Sequence, residues 1–316
     1  MRYGIMFSGQ GAQRSGMGVE LMADSLFSRI VEEASELSQL DLLQIMQNDH
    51  KELTKTEYVQ PALVTVSYGI YRMLQRDLPE LPVAGMVGLS LGEYAAMLAS
   101  QMLDFNEGIQ LITDRAKYMQ SDAEKVTSTL AAILDPNLGA IKQFVDEQQK
   151  KGKQIYIANF NSPRQIVLGG VSDDVHVAIK KIETEKLAKR AVNLEVSGAF
   201  HTPLFNEARK KMHQRLMNIK FNQPLVPVIS NTTIQPFNAK DSAAILERQL
   251  AVPTHFGADI RYLVNHQQID ATIEIGPGKT LTRFAKQVEK GLTTFHISNL
   301  HDYEKFIEER QNGANK

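Results

Sequence analysis

The 316-residue sequence contains no cysteine. That absence excludes disulfides, thiolate zinc sites and a cysteine nucleophile. An excess of one charge sign is also missing: 35 Lys and Arg stand against 36 Asp and Glu, a formal net charge of −1. There is therefore no global basic field for nucleic acid, and an acidic partner would have to meet a local cationic patch. No apolar run approaches the length of a membrane span. Met1-Arg-Tyr-Gly-Ile-Met-Phe7 goes straight into a strand-like segment, which argues against a signal peptide. The expectation is a soluble cytoplasmic enzyme that works on neither nucleic acid nor membrane. With 43% hydrophobic residues the chain can bury a large core, as one large domain or as a large domain with a smaller companion.

What is present centres on Val83-Ala-Gly-Met-Val-Gly-Leu-Ser-Leu-Gly-Glu-Tyr94. An apolar run of small and β-branched residues reads as a buried strand, and from Leu91 to Met102 the pattern becomes helical. Between them lies Gly88-Leu-Ser-Leu-Gly92, the Gly-x-Ser-x-Gly of a nucleophile elbow. The glycines remove Cβ atoms that would clash in so tight a turn. The turn lifts the Ser90 hydroxyl above the sheet edge, beside the first amides of the next helix. That of Leu91 above all can stabilise an oxyanion.

The flanking chain supplies the setting. Tyr3–Phe7 reads as a strand that ends in the glycine loop Ser8–Gly16. Neither phosphate template fits this loop: Arg14 replaces the third glycine of one, and Met17 takes the lysine position of the other. Helical stretches follow at 17–37 and 60–75, the second with Pro61 in its first turn. Asp104 and Glu107 have capping-box spacing and open a helix to about Gln120. Its apolar stripe is Phe105, Ile109, Ile112, Ala116 and Met119, with Arg115 beside it. Arg115 can be read as a snorkelling surface arginine or as a carboxylate binder.

From 127 to 197 the pattern is strand, helix, strand, strand, helix, strand, with Asp135-Pro136 opening the first helix. That order is the ferredoxin-like unit. Ser197-Gly-Ala-Phe-His-Thr-Pro203 then leads into a helix to about Ile219. A helix N-terminus disfavours imidazolium, so His201 should stay neutral, as a base must. Short strands at 226–230, 271–275 and 293–297 alternate with helices, which makes a mostly parallel α/β sheet. After Phe306 the tail turns polar and is expected to fray. Residues 279–290 form a further pattern. At about 100° per residue, Lys279, Arg283, Lys286 and Lys290 share one helix face, opposite Leu281, Phe284, Ala285 and Val288. That face is either an ordinary solvated one or a docking stripe.

Taken together and in order, these residues resemble the malonyl-CoA:acyl-carrier-protein transacylases. The resemblance runs through Gly9-Gln-Gly-Ala-Gln13, Gln60-Pro-Ala62, Gly88–Glu93, Arg115, Asn159-x-Asn-Ser-Pro163 with Gln165, and Ala199-Phe-His201. It continues in Arg248-Gln-Leu250 and Glu274-x-Gly-Pro-Gly-Lys279. Leu89 departs from the pattern, standing where a histidine usually precedes the serine. The resemblance implies a hydrolase-like α/β domain (1–126 and 198–316) carrying a ferredoxin-like small domain (127–197), with the site in the cleft between them. It also implies roles. Ser90 would be the nucleophile and His201 the base, with the Gln10 and Leu91 amides as oxyanion hole and the Gln249 carbonyl orienting the imidazole. Arg115 would hold the malonyl carboxylate, Gln165 would bind substrate, and Phe200 would disfavour an α-methyl branch.

No bound cofactor or metal is implied. The substrates would be malonyl-CoA and phosphopantetheinylated acyl carrier protein, an acidic partner suited to the 279–290 stripe, and the enzyme is expected to be monomeric. Three alternatives stay open: an α/β-hydrolase-type thioesterase or esterase, a non-catalytic carrier-binding relative, and a polyketide-pathway transacylase with the same chemistry.

Overall fold

The computed structural model describes residues 1–314. It begins with β1 (Tyr3–Phe7), α1 (Ser25–Ser38), α2 (Leu42–Gln47), α3 (Thr56–Asp77), β2 (Val83–Gly88), α4 (Gly92–Ala99) and α5 (Phe105–Ala123). Next come β3 (Ser128–Leu134), α6 (Leu138–Lys150), β4 (Ile155–Ser162), β5 (Gln165–Val171), α7 (Ser172–Thr184) and β6 (Arg190–Leu194). The chain closes with α8 (Asn206–Leu216), β7 (Val228–Ile229), α9 (Ser242–Gln249), α10 (Phe256–Gln267), β8 (Ala271–Ile275), α11 (Thr280–Val288), β9 (Thr293–Ile297) and α12 (Leu300–Ala314).

Every residue of β1 and β8 is buried, as strands covered by helices on both faces must be. They lie within a five-stranded parallel sheet of order β7-β2-β1-β8-β9. Against it packs α3, buried at every position from Val59 to Tyr71 and therefore a core helix. This helix starts at Thr56, so Pro61 sits beyond the first turn and not within it. A tertiary bond holds the extra turn: the Thr56 N–H donates to Gln120 Oε1 at 3.0 Å.

The second sheet is antiparallel, order β4-β5-β3-β6, the strand order of a ferredoxin-like unit. Period-2 alternation divides its two faces. Ala131, Ile133, Ile166 and Leu168 pack with Phe144 and Val175 of α6 and α7. Leu130, Ala132 and Val167 face the cleft toward the parallel sheet. One seam between the sheets is a strand-like bridge, in which Phe160 N–H donates to Thr254 O (2.8 Å) and Thr254 N–H to Ala158 O (3.1 Å). At the other seam the Ala199 N–H donates to Ser128 Oγ.

Some local expectations change. The 17–37 stretch divides into a 3-10 turn (Val19–Ala23) and α1, because the Asp24 carboxylate caps Leu26 and Phe27. Asn137 and not Asp135 caps α6; Asp135 takes a left-handed φ of 48° and pairs with Arg164 at 2.6 Å. The stretch after His201 opens with a 3-10 turn, Pro203–Phe205, before α8. The tail does not fray after Phe306: α12 continues to Ala314, with Arg310 bonded to Tyr3 Oη and lying over the Phe295 and Phe306 rings.

Candidate active site

The elbow between β2 and α4 is as tight as two glycines allow. A Cβ on Gly88 would lie 1.9 Å from the Gly92 carbonyl carbon, and one on Gly92 would lie 2.2 Å from Phe7 O. Ser90 is forced to φ 53°, a left-handed conformation that a residue with a side chain adopts only when its surroundings impose it. The imposing bonds are long-range. Ser90 N–H donates to Asn231 Oδ1 (2.7 Å), and Ser90 O accepts from Gln249 Nε2 (3.0 Å).

His201 meets this serine from a loop 111 residues away: its Nε2 is 2.7 Å from Ser90 Oγ. Its Nδ1 is 2.8 Å from the backbone O of Gln249. A carbonyl only accepts, so Nδ1 carries the hydrogen and Nε2 presents its lone pair to the serine hydroxyl. The imidazole is 4% exposed, and burial, reinforced by the charge of Arg115, pulls its pKa down to about 4 against the upward pull of the Gln249 bond. The ring is neutral, as expected. The cause is desolvation and a nearby cation, since only a three-residue 3-10 turn follows. Among the described residues no carboxylate bonds this ring.

Both stand in a cavity of about 700 Å³ between the two sheets. Its lining includes Gln10, Leu91, Arg115, Gln165, Phe200 and Arg283. Neither the Gln10 nor the Leu91 N–H donates to a protein acceptor among the described residues. Arg115 is fully buried, which removes the surface reading. Nη1 donates to Gln60 Oε1 (2.6 Å) and Nη2 to Gln249 Oε1 (2.9 Å), with Nη2 also 3.5 Å from Ser90 Oγ. Its guanidinium carbon lies 5.2 Å from the centre of the Tyr94 ring. Gln165 Oε1 accepts from Asn161 Nδ2 at 2.9 Å. Phe200 packs edge-on against Phe205. The arrangement can attack a carbonyl with a serine oxygen while a buried cation faces an anionic substituent nearby.

Comparison with known proteins agrees. A family model described as an acyl transferase domain matches residues 5–302. The malonyl CoA-acyl carrier protein transacylase of Bacillus subtilis (strain 168) is 34% identical over 300 residues, 93% of each chain. The crystal structure of MCAT from Streptococcus pneumoniae aligns with a TM-score of 0.90 at 31% identity, covering 97% of this chain and 99% of that one. A malonyl-transacylase in complex with its type II PKS acyl-carrier protein gives a TM-score of 0.92 at 29% identity, covering 98% of this chain and 100% of that one. The chain belongs to the malonyl CoA-acyl carrier protein transacylase family. It is an acyltransferase with the mixed α/β fold of that family.

Within this transacylase, Leu89 occupies the departing position. It lines the cavity, half-buried, and packs against the apolar cluster of Met6, Val87 and Phe256. The basic stripe needs correction. Helix α11 covers only Thr280–Val288; Lys279 is its non-helical N-cap and Lys290 lies beyond the extended Glu289. The Pro277-Gly278 turn and the break before Gly291 cut the ideal helix short. Only Arg283 and Lys286 share a helical face, although all four cations are exposed.

Sequence reasoning named Gln249 for its carbonyl and missed its side chain. It also gave no role to Glu93, Asn231 and Asp259, which are buried behind the elbow. Glu93 stood inside the elbow motif, while Asn231 and Asp259 carry no local signal. Among the described residues there is no metal-binding group of three or more His, Cys, Asp or Glu, and no helix is long and apolar enough to cross a membrane.

Proposed function

We propose that the protein transfers a malonyl group from malonyl-CoA to the phosphopantetheine thiol of acyl carrier protein through a malonyl-serine intermediate. Ser90 Oγ attacks the thioester carbonyl as its proton passes to His201 Nε2, and the Gln10 and Leu91 amides take up the oxyanion charge. The C–S bond then breaks, and the imidazolium returns the proton to the leaving CoA sulfur. In the second half the carrier thiol loses its proton to His201 and attacks the malonyl ester; the C–O bond to Ser90 breaks, and the imidazolium returns the proton to the Ser90 oxygen. The Gln249 carbonyl steadies the imidazolium that forms transiently, so the pair works as a Ser–His dyad.

The observation that carries this reading is the buried Arg115 guanidinium 3.5 Å from the Ser90 hydroxyl. A malonyl thioester has its carboxylate one methylene from the reacting carbonyl, so one group can meet each residue. Gln165 and Phe200 line the same space, where Gln165 binds substrate and Phe200 crowds an α-methyl group. The exposed Lys279, Arg283, Lys286 and Lys290 receive the acidic carrier. Further elements of the proposal are a large domain (1–126 and 198–316) and a small one (127–197), supported by the two separate sheets. So are a monomer without a resident cofactor and a cytoplasmic setting in fatty-acid synthesis. The structural neighbour that carries a type II PKS acyl-carrier protein favours polyketide assembly as a second setting for the same chemistry.

Intact mass spectrometry after mixing with malonyl-CoA tests the reading. A single malonyl adduct is expected on Ser90, absent in Ser90→Ala, with ping-pong kinetics. Malonyl transfer to carrier by a wild type that never carries the adduct, or release of free malonate in preference to transfer, would overturn it.

A further inference from the structure

Ser90 is strained, and its two backbone restraints have one common anchor. That anchor is Glu93, in the first turn of α4 and fully buried. Its Oε1 accepts the Asn231 N–H at 2.6 Å, and its Oε2 accepts Gln249 Nε2. Asn231 Oδ1 in turn holds Ser90 N–H, while Gln249 Nε2 holds Ser90 O. An amide has a donor end and an acceptor end, whereas an ionised carboxylate only accepts. Glu93 therefore selects one orientation of Gln249: nitrogen toward Glu93 and Ser90, oxygen toward Arg115 Nη2 at 2.9 Å.

We propose that Glu93 is a positioning residue for acylation: ionised, it fixes the Gln249 amide and through it both the Ser90 elbow and the Arg115 guanidinium. The proposal rests on the malonyl-transfer reading and adds to it a group that never touches substrate. A protonated Glu93 carries a hydrogen on one oxygen, which weakens that oxygen as an acceptor and competes there with Gln249 Nε2 or the Asn231 N–H. Turning the Gln249 amide to follow it would set an NH₂ against the Arg115 guanidinium, donor against donor.

The charged and titratable groups around Glu93 are Arg115 from α5, Asp259 from α10 and Tyr94 beside it on α4. Asp259 Oδ2 accepts from Asn231 Nδ2 at 2.8 Å, while its Oδ1 has no partner among the described residues. Burial and the neighbouring Glu93 push Asp259 well above the carboxylate range, against the bond from Asn231. Burial pushes Glu93 up to about 7, against the bonds from Gln249 and Asn231 and the charge of Arg115. His201, pulled down to about 4, titrates well below that. A loss of acylation rate on acidification through neutrality is then the signature of Glu93 and not of the base.

The test follows malonyl adduct formation on Ser90 by rapid-quench intact mass spectrometry with malonyl-CoA, between about pH 5.5 and 9. Wild type, Glu93→Gln, Gln249→Ala and the double variant are compared. Wild type is expected to slow as pH falls through about 7. Glu93→Gln should be about tenfold to a hundredfold slower at alkaline pH and should lack that limb. In the Gln249→Ala background the same change should cost several-fold less than in the wild type, because only the Asn231 arm is then left for Glu93 to hold. A Glu93→Gln variant that keeps the limb, or a double variant whose loss is the product of the single losses, overturns the proposal. Should Glu93→Gln fail to fold, Gln249→Ala decides alone: a limb near 7 as deep as that of the wild type overturns it. A wild type that takes no malonyl at any pH overturns the transfer reading itself, which is a different failure.

Discussion

At the floor of the cavity a single guanidinium is fully buried; on and beside α11, which reaches the cavity rim through Arg283, four cations are exposed. Arg115 has Gln60, Gln249 and the Tyr94 ring as its surroundings, and burial lowers its pKa while Tyr94 and Glu93 act against that. Of the rim group, Arg283 alone lines the cavity, and its Nη2 donates to Thr280 Oγ1. Away from water an unpaired charge is expensive, so the floor can discriminate between acyl groups. In water the same charge is screened within about 10 Å, so the rim can only guide approach. The two sets of cations should therefore fail in different ways when removed.

The largest effect belongs to the floor. If Arg115 pairs with the malonyl carboxylate, an acetyl group leaves that cation without its partner. Breaking a buried pair costs roughly 3–5 kcal/mol, which corresponds to a preference for malonyl of about two to three powers of ten or more. Arg115→Ala should abolish this preference, with acetyl transfer falling less than malonyl transfer. Competition between malonyl-CoA and acetyl-CoA, scored by adduct mass, measures it directly. Equal use of both by the wild type would end the proposed role of Arg115.

The next effect is on stability, and it sharpens the same contrast because Arg115 helps to keep His201 neutral. The folded value of about 4 lies below the ordinary 6.5, so the folded state binds fewer protons between them than the unfolded chain. Stability from this group is complete above 6.5 and is lost as pH falls toward 4. Relative to His201→Asn, the wild type should lose roughly 2 kcal/mol between pH 7 and pH 5. Denaturant midpoints of the two proteins at both pH values check this. A gap that does not narrow on acidification would show that the imidazole is not held neutral.

The same contrast explains what could be read in advance. The elbow, β1, β8 and β9 follow from local patterns of glycine and apolar residues, and their bounds agree with the chain as folded. The burial of Arg115 does not: on its own helix it lies beside the apolar stripe, and only packing against α3 and Gln249 closes water out. Gln249, Asn231 and Asp259 act on Ser90 from more than a hundred residues away, so no spacing rule can bring them together. The rim failed in the opposite direction. An ideal 100° wheel assumes a helix from 279 to 290, but the ends of α11 are set by Pro277-Gly278 and by the extended Glu289. The order of the tail has no local signal either, because Phe306 and Arg310 anchor it on Tyr3 of β1, some three hundred residues away, and on Phe295 of β9.

The smallest effect is expected at the rim itself. Shortening α11 leaves Arg283 and Lys286 as the pair that faces outward from one helix, with Lys279 and Lys290 on either side of it. Exposed charges of this kind contribute up to about 1 kcal/mol each and act mainly on the association rate. Arg283→Glu with Lys286→Glu should therefore raise the KM for carrier protein several-fold at low ionic strength. Serine malonylation from malonyl-CoA should stay nearly intact, because that step needs the floor and not the rim. Wild-type transfer to carrier should weaken with added salt, and the double variant should lose most of that dependence. Steady-state transfer at low and high salt, beside adduct formation without carrier, separates the two. If the double variant loads its carrier normally at low salt, the rim is a solvated face and the carrier is recognised elsewhere.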